Sequence, residues 1–497
     1  MAPLEPTTQS LLPSWVRILD TTLRDGQQSL WGMRMQAGMA LPVADLLDRT
    51  GFSVVDFAGS SHMEVLIKYK RENAWEGLDL LRERIHRTPM RGGMRANACI
   101  SFGVSPDALM DLWIRRLNEH GVRSYWIYDV LYGIDNFARL AKIAKEYGSE
   151  VVGTVFYTIS PVHTDEYLAA KAAEIAAIPD VDGVLFYDTA GVLDVERLRT
   201  LLPKIVAAAA PKPVEIHANN LMGTSGLTYV EAVKCGVTVL HTAARSMANG
   251  PSTPSTESVV RNLELLGIEH GLDTSLLAPV DEHFRAVGLA AGHLVDQVSE
   301  YDLFNVTHQV PGGMVGTLKA QLEQHGMTHR LDEVLEETGR VRAELGWPVM
   351  ATPLSQLVGT QAVLNVVGGG RYELVPDQVV AYAAGHYGEP PAPLDPEVLD
   401  RIMAAENAAR VLASPPEQPT LEELRARHGT GLGEDDLLIL KALIPESDIE
   451  AMQAAGPVAR DYPLLPPEVA EIKALIETVR SPYVRVANEH WSLDLKR

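Results

Sequence analysis

A (β/α)8 barrel followed by helical domains is the fold this sequence predicts, and three features predict it. Eight short runs rich in β-formers recur over roughly the first 250 residues, the span such barrels occupy. Amphipathic stretches lie between them and end in glycine, as in DALMDLWIRRLNEHG (107–121) and NFARLAKIAKEYG (136–148), which suits helices with glycine caps. A length of 497 residues leaves room for a barrel and an extension.

The first run, Val16–Leu23, leads into a loop bearing Arg24, Asp25, Gln27 and Gln28. A carboxylate beside a guanidinium and two amides at a strand mouth suits a cation or an oxyanion. The remaining runs are Ser53–Ala58, Arg95–Ser101, Ser124–Tyr128, Val151–Thr158, Gly183–Thr189, Val214–Asn219 and Val237–Thr242. In such a barrel the active site lies at the C-terminal strand ends, where Arg24, Asp25, Tyr157, Tyr187 and Asn220 fall. The barrel is predicted over 15–275. A helical unit with irregular loops follows over 276–413 and contains the proline-rich GEPPAPLDP. A helical extension, opened by SPPEQP, runs over 414–497.

Composition narrows the function. Hydrophobic residues make up 46% and charged residues 22%, as in a globular protein. A net charge of -22 argues against nucleic acid and anionic membrane as partners. Two cysteines, Cys99 and Cys235, build neither a disulfide framework nor a thiolate zinc site. No apolar run is long enough to span a bilayer, and the first residues do not read as a signal peptide, so a cytoplasmic protein is expected.

LDTTLRDGQQSLWGMRM, AGSSHMEVLIKYKRENAWEGL, YTISPVHT, the YDTAG turn, SMANGPSTPSTESVV, HQVPGGMVGTLKAQL and TPLSQLVGTQAVLNVVGGGRYELVPDQV together resemble one family. It is the carboxyltransferase domain family of pyruvate carboxylase, the oxaloacetate decarboxylase α-subunit and transcarboxylase. The resemblance implies a barrel with a helical funnel over its mouth, and a homodimer or larger complex. It implies a reaction that moves a carboxyl group between biotin and a 2-oxo acid, or decarboxylates oxaloacetate. It implies that Asp25 binds a divalent metal, that Gln28 lies beside biotin and substrate, and that Arg95 helps hold the small carboxylate substrate. Biotin would come on a separate carrier, with a biotin carboxylase subunit as a further partner. The EAM at Glu450–Met452 is followed by Gln453, not by an acceptor lysine.

The departures from the family are as informative. Tyr187 stands where the family has a lysine that is carbamylated to ligate the metal, and tyrosine has no amine. The family's pair of histidines on strand seven becomes Asn220 and Met222 if the downstream TSG is aligned, or His217 and Asn219 if His217 is. On the first alignment, the better of the two, three of four protein ligands are gone, and Asp25 alone would not hold the ion. A rearranged cluster of Asp25, His217 and His241, from strands one, seven and eight, is the alternative metal site. Without a metal, Arg24, Arg95, Tyr187 and Asn220 are the donors left to stabilise an oxyanion, and Tyr187 would be a general acid if the arginines lowered its pKa. Three functions follow: a carboxyltransferase or decarboxylase subunit, a biotin-independent and metal-free lyase, aldolase or hydrolase, and a non-catalytic partner of a carboxylase complex.

Overall fold

The computed structural model describes residues 12–100, 103–324, 326–464, 481, 483–487 and 492–496. Eight parallel strands close into a barrel in sequence order: β1 (Arg17–Asp20), β2 (Val55–Gly59), β3 (Met90–Arg95), β4 (Ser124–Tyr128), β5 (Glu150–Phe156), β6 (Gly183–Asp188), β7 (Val214–Ala218) and β8 (Val239–Thr242). Closure is by β1 on β8, with Arg17 opposite Val239 and Asp20 opposite Thr242. Among the described residues no helix is long and apolar enough to cross a membrane.

Two strands differ from the sequence reading. β1 stops at Asp20, because its carboxylate accepts from the Thr22 amide at 3.1 Å and the Thr22 hydroxyl at 2.7 Å. The chain then winds tightly over Thr22–Gly26, where the Thr21 carbonyl accepts from the amides of Arg24 and Gly26. β3 ends at Arg95 instead of beginning there, and Ser101 lies outside the described residues. Its sequence, MRGGMR, is poor in β-formers, so the apolar ANACIS masked it. The glycine is required by packing: a Cβ on Gly93 would lie 2.4 Å from the Trp126 ring.

Polar side chains fill much of the barrel axis. Arg91 on β3 donates to Glu215 at 2.6 Å, Glu150 at 2.8 Å and the Ser124 hydroxyl at 2.7 Å. Aliphatic residues from the outer strand faces pack against the surrounding helices in one large core. A second core joins the barrel's inner face to the helical unit: Trp126, Phe156, Leu185 and Tyr187 pack with Val310, Met314, Met350 and Leu354. That shared core seats the helices Gly312–Gln324, Leu331–Glu344 and Leu354–Val367 over the mouth. The helix Leu277–Ala291 belongs to the barrel's shell through Val280, Phe284 and Val287.

The extension also packs on the barrel. Leu438, Ile439, Leu440 and Ile444 are buried in its outer core, and Asp436 pairs with Arg116 at 2.8 Å and His120 at 3.1 Å. It is helical over Leu421–His428, Asp435–Leu443 and Glu446–Ala454. Its final described residues form two antiparallel strands instead, β9 (Tyr483–Ala487) and β10 (Ser492–Lys496). Alternation over YVRVA and SLDLK is a strand signal that the sequence reading passed over.

Candidate active site

The cavity at the mouth measures about 470 Å³. Its floor includes Arg24, Asp25, Trp126, Tyr187 and Asn219. Gln28, Ser60 and Ser61 line the barrel side, and Pro311, Met314, Thr352 and Gln356 come from the helical unit.

Arg24 is the centre of the floor and is 1% exposed. Its Nε donates to Asp56 Oδ2 at 3.0 Å. Nη1 donates to Asp25 Oδ1 at 3.2 Å and the Tyr187 hydroxyl at 3.3 Å. Nη2 lies 3.3 Å from His217 Nδ1, and the guanidinium sits 4.8 Å from the centre of the Trp126 ring. The tight turn after β1 aims this side chain back into the barrel, since Gly26 abuts Met247: a Cβ there would lie 3.0 Å from the Met247 carbonyl.

Asp25 is saturated. Its Oδ2 accepts from the Ser252 hydroxyl at 3.0 Å, the Thr253 amide at 3.2 Å and the Asn219 amide at 3.3 Å. Its Oδ1 takes Arg24 and lies 3.4 Å from His217 Nε2. Burial alone would raise this carboxyl, but His217, Arg24 and the Ser252 hydroxyl hold it well below the usual carboxylate range. Burial depresses His217 to about 3, so the imidazole is neutral at pH 7. Tyr187 goes the other way: burial raises it above an ordinary phenol despite the adjacent Arg24. The expectation that the arginines lower its pKa is therefore corrected, and Tyr187 stays a neutral O–H donor.

The structure rearranges the remaining candidates. Strand pleating turns His217 and Asn219 toward Asp25, so the alignment that pairs them describes the site. Asn220 faces away, accepting from the Ser225 amide at 3.0 Å and donating to Asn249 at 2.8 Å. Met222 likewise does not line the cavity. Arg95 does not line it either: it donates to the Cys99 carbonyl at 3.1 Å and Ser61 Oγ at 3.3 Å, one side chain behind the wall. Tyr157 points into the outer shell against Phe186. Gln28 lines the opening, whereas Gln27 is tied to the Leu23 carbonyl and the Met35 amide.

The expected cluster of Asp25, His217 and His241 does not converge. His241 Nδ1 lies 3.1 Å from His217 Nδ1, while its Nε2 is held by Glu215 at 2.9 Å, deeper in the barrel. Among the described residues no group of three His, Cys, Asp or Glu side chains is arranged to hold a metal. The family ligand positions do not fit one either. Tyr187 cannot be carbamylated. The Asn219 amide nitrogen faces both Asp25 and the Pro251 carbonyl, two acceptors, which turns its oxygen away from the carboxylate.

Asp56, Ser252, Thr253 and Trp126 were missed as site residues. Asp56 left a signal, a lone acid in the apolar run SVVDFA. Ser252 and Thr253 lay within SMANGPSTPSTESVV without an assigned role.

Residues 306–462 match the family described as a conserved carboxylase domain. The chain is 36% identical to a pyruvate carboxylase subunit of Methanocaldococcus jannaschii over 392 residues, covering 78% of this chain and 68% of that one. It is 31% identical to the 2-oxoglutarate carboxylase large subunit of Hydrogenobacter thermophilus, covering 93% and 71%. The fold is that of the carboxyl transferase domain of Rhizobium etli pyruvate carboxylase, solved with pyruvate and biocytin. That match has a TM-score of 0.81 at 20% identity and covers 98% of this chain and 84% of that one.

Proposed function

The chain belongs to the carboxyltransferase family of biotin-dependent carboxylases, and on that premise we propose that it transfers a carboxyl group between carrier-borne biotin and a 2-oxo acid. The observation that carries this reading is the cavity of about 470 Å³ between the barrel mouth and the helical unit. A carbanion reaction gains from shielding against bulk water, and the helices packed over the mouth roof part of the cavity. The lining suits both reactants. Tyr187, backed by Arg24, offers a donor to a 2-oxo group, while Gln28, Thr352 and Gln356 offer amides and a hydroxyl to the ureido ring that carries the carboxyl.

The reaction exchanges one group for one proton. A C–H bond at the carbon beside the oxo group breaks and a C–C bond forms, while the biotin nitrogen loses carboxyl and gains the proton. Tyr187 donates a hydrogen bond to the oxo oxygen as negative charge gathers there. Asn219 and Ser252 hold Asp25 in place, and Asp25 and Asp56 hold Arg24. Asn219, not Asn220, is the strand-seven amide at the mouth, where it positions Asp25, and Arg95 supports Ser61 and the loop after β3. A biotin carrier and a biotin carboxylase subunit are the partners. Two free cysteines suit a reducing compartment, the cytoplasm.

The test is carboxylation of a panel of 2-oxo acids by the purified chain with a carboxybiotin-loaded carrier. Turnover that needs the carrier and is abolished by avidin is expected. Turnover without biotin, or none on any 2-oxo acid, defeats the reading.

A further inference from the structure

The donor set at the mouth does not fit a divalent ion, yet the oxo oxygen of a carbon acid still needs positive charge close to it. We propose that the Arg24 guanidinium is the resident cation of this site and makes its chemistry metal-independent. The proposal rests on the carboxyltransferase reading and says how that reaction is run in this chain.

The geometry is that of a built-in ion. Asp25, Tyr187 and His217, three of the four positions where the family would ligate metal, contact one guanidinium at 3.2, 3.3 and 3.3 Å. Each of those three groups already spends a polar atom on the guanidinium. Nor is the guanidinium free to swing away. Asp56 grips Nε at 3.0 Å, Trp126 covers one face, and the side chain is 1% exposed. Asp56 is fixed in turn by the Trp126 Nε1–H at 3.1 Å.

A guanidinium suits this post. It stays charged at any working pH, is planar, and spreads its donors over several acceptors at once. Its action reaches the substrate through the phenol. Because Arg24 donates to the Tyr187 oxygen, the hydroxyl proton of Tyr187 is left for an acceptor in the cavity that Tyr187 lines. A phenol backed by a cation is a stronger donor, so the pair delivers positive charge to a developing enolate oxygen at the floor of the cavity. His217 occupies the other side of the guanidinium.

Two measurements test this, and the first needs no turnover. The full-length protein is dialysed against Mn²⁺, Co²⁺ and Zn²⁺, then desalted and assayed for bound metal, with Mn²⁺ followed by electron paramagnetic resonance. No stoichiometric ion is expected. One ion per chain, lost in Asp25→Asn, overturns the proposal. The second is calorimetric binding of oxalate, which resembles the enolate of a 2-oxo acid, with and without chelator. Binding unaffected by chelator, and weakened at least about tenfold in Arg24→Lys by loss of the fork of donors, is expected. Binding that requires added metal overturns the cation assignment and leaves the carboxyltransferase reading standing. Absence of binding under both conditions overturns the cation's role together with that reading. Should Arg24→Lys fail to fold, the wild-type measurements still decide.

Discussion

Tyr187 shows how one substitution reorders a site. Its oxygen accepts from Arg24, so its own proton is available to the cavity, and burial keeps it a neutral phenol. Removing the hydroxyl while keeping the ring should lower kcat by about a hundredfold, the low end for a donor aimed at a developing oxyanion. Steady-state kinetics of Tyr187→Phe on the true substrate would check this, and unchanged turnover would remove Tyr187 from the mechanism. The neighbouring asparagines should separate cleanly. Asn219→Ala frees Asp25 from an amide and should reduce activity. Asn220→Ala leaves the Ser225 amide and Asn249 without a partner and should cost about 1–3 kcal/mol of stability instead. Chemical denaturation alongside kinetics distinguishes the two.

At the level of elements, the loop after β1 and the start of the helix Gly312–Gln324 decide access. Gly312 lies against the barrel: a Cβ there would come within 2.5 Å of Pro251 Cβ and 2.9 Å of Leu221 Cδ2. Gly312→Ala should push this helix off the mouth, at about 1–3 kcal/mol of overpacking, and lower kcat/KM. The β1 loop carries a pH signature through Asp20, whose carboxyl burial raises from 3.8 to about 7 against the hydrogen bonds from Thr22. The folded state then holds a proton that the unfolded chain releases near 3.8. This contribution to stability is full below that pH and disappears as pH rises to about 7. Relative to wild type, Asp20→Asn should therefore gain stability between pH 4 and pH 7. Melting curves across that range would show it, and a pH-independent difference would mean that Asp20 is ionised in the folded protein.

Across the whole molecule, two interfaces hold the site together. The inner barrel face and the helical unit share one core, so the cavity exists only when both are assembled. The extension covers the outer shell with Leu438, Ile439, Leu440 and Ile444. Deleting 414–497 should uncover that apolar surface and lower the melting temperature or solubility, read by calorimetry and light scattering. A variant as stable as the full chain would show that the shell does not need it.

The sequence determined the barrel, because short β-rich runs alternating with amphipathic helices leave little other way to bury both, and it determined the family through long motifs such as RDGQQSL and TPLSQL. It also showed that the lysine position holds Tyr187, since that is a matter of side-chain chemistry alone. Which strand-seven residues face the mouth was decided only by the tertiary structure. A shift of one residue along a strand turns a side chain to the opposite face, and the better sequence alignment, on the downstream TSG, put Asn220 instead of Asn219 at the mouth. The same holds for Arg24. The chain places it beside Asp25, but only the closed barrel brings Asp56, Tyr187, His217 and Trp126 around its guanidinium. A charge has no fixed surroundings until strands far apart in sequence meet.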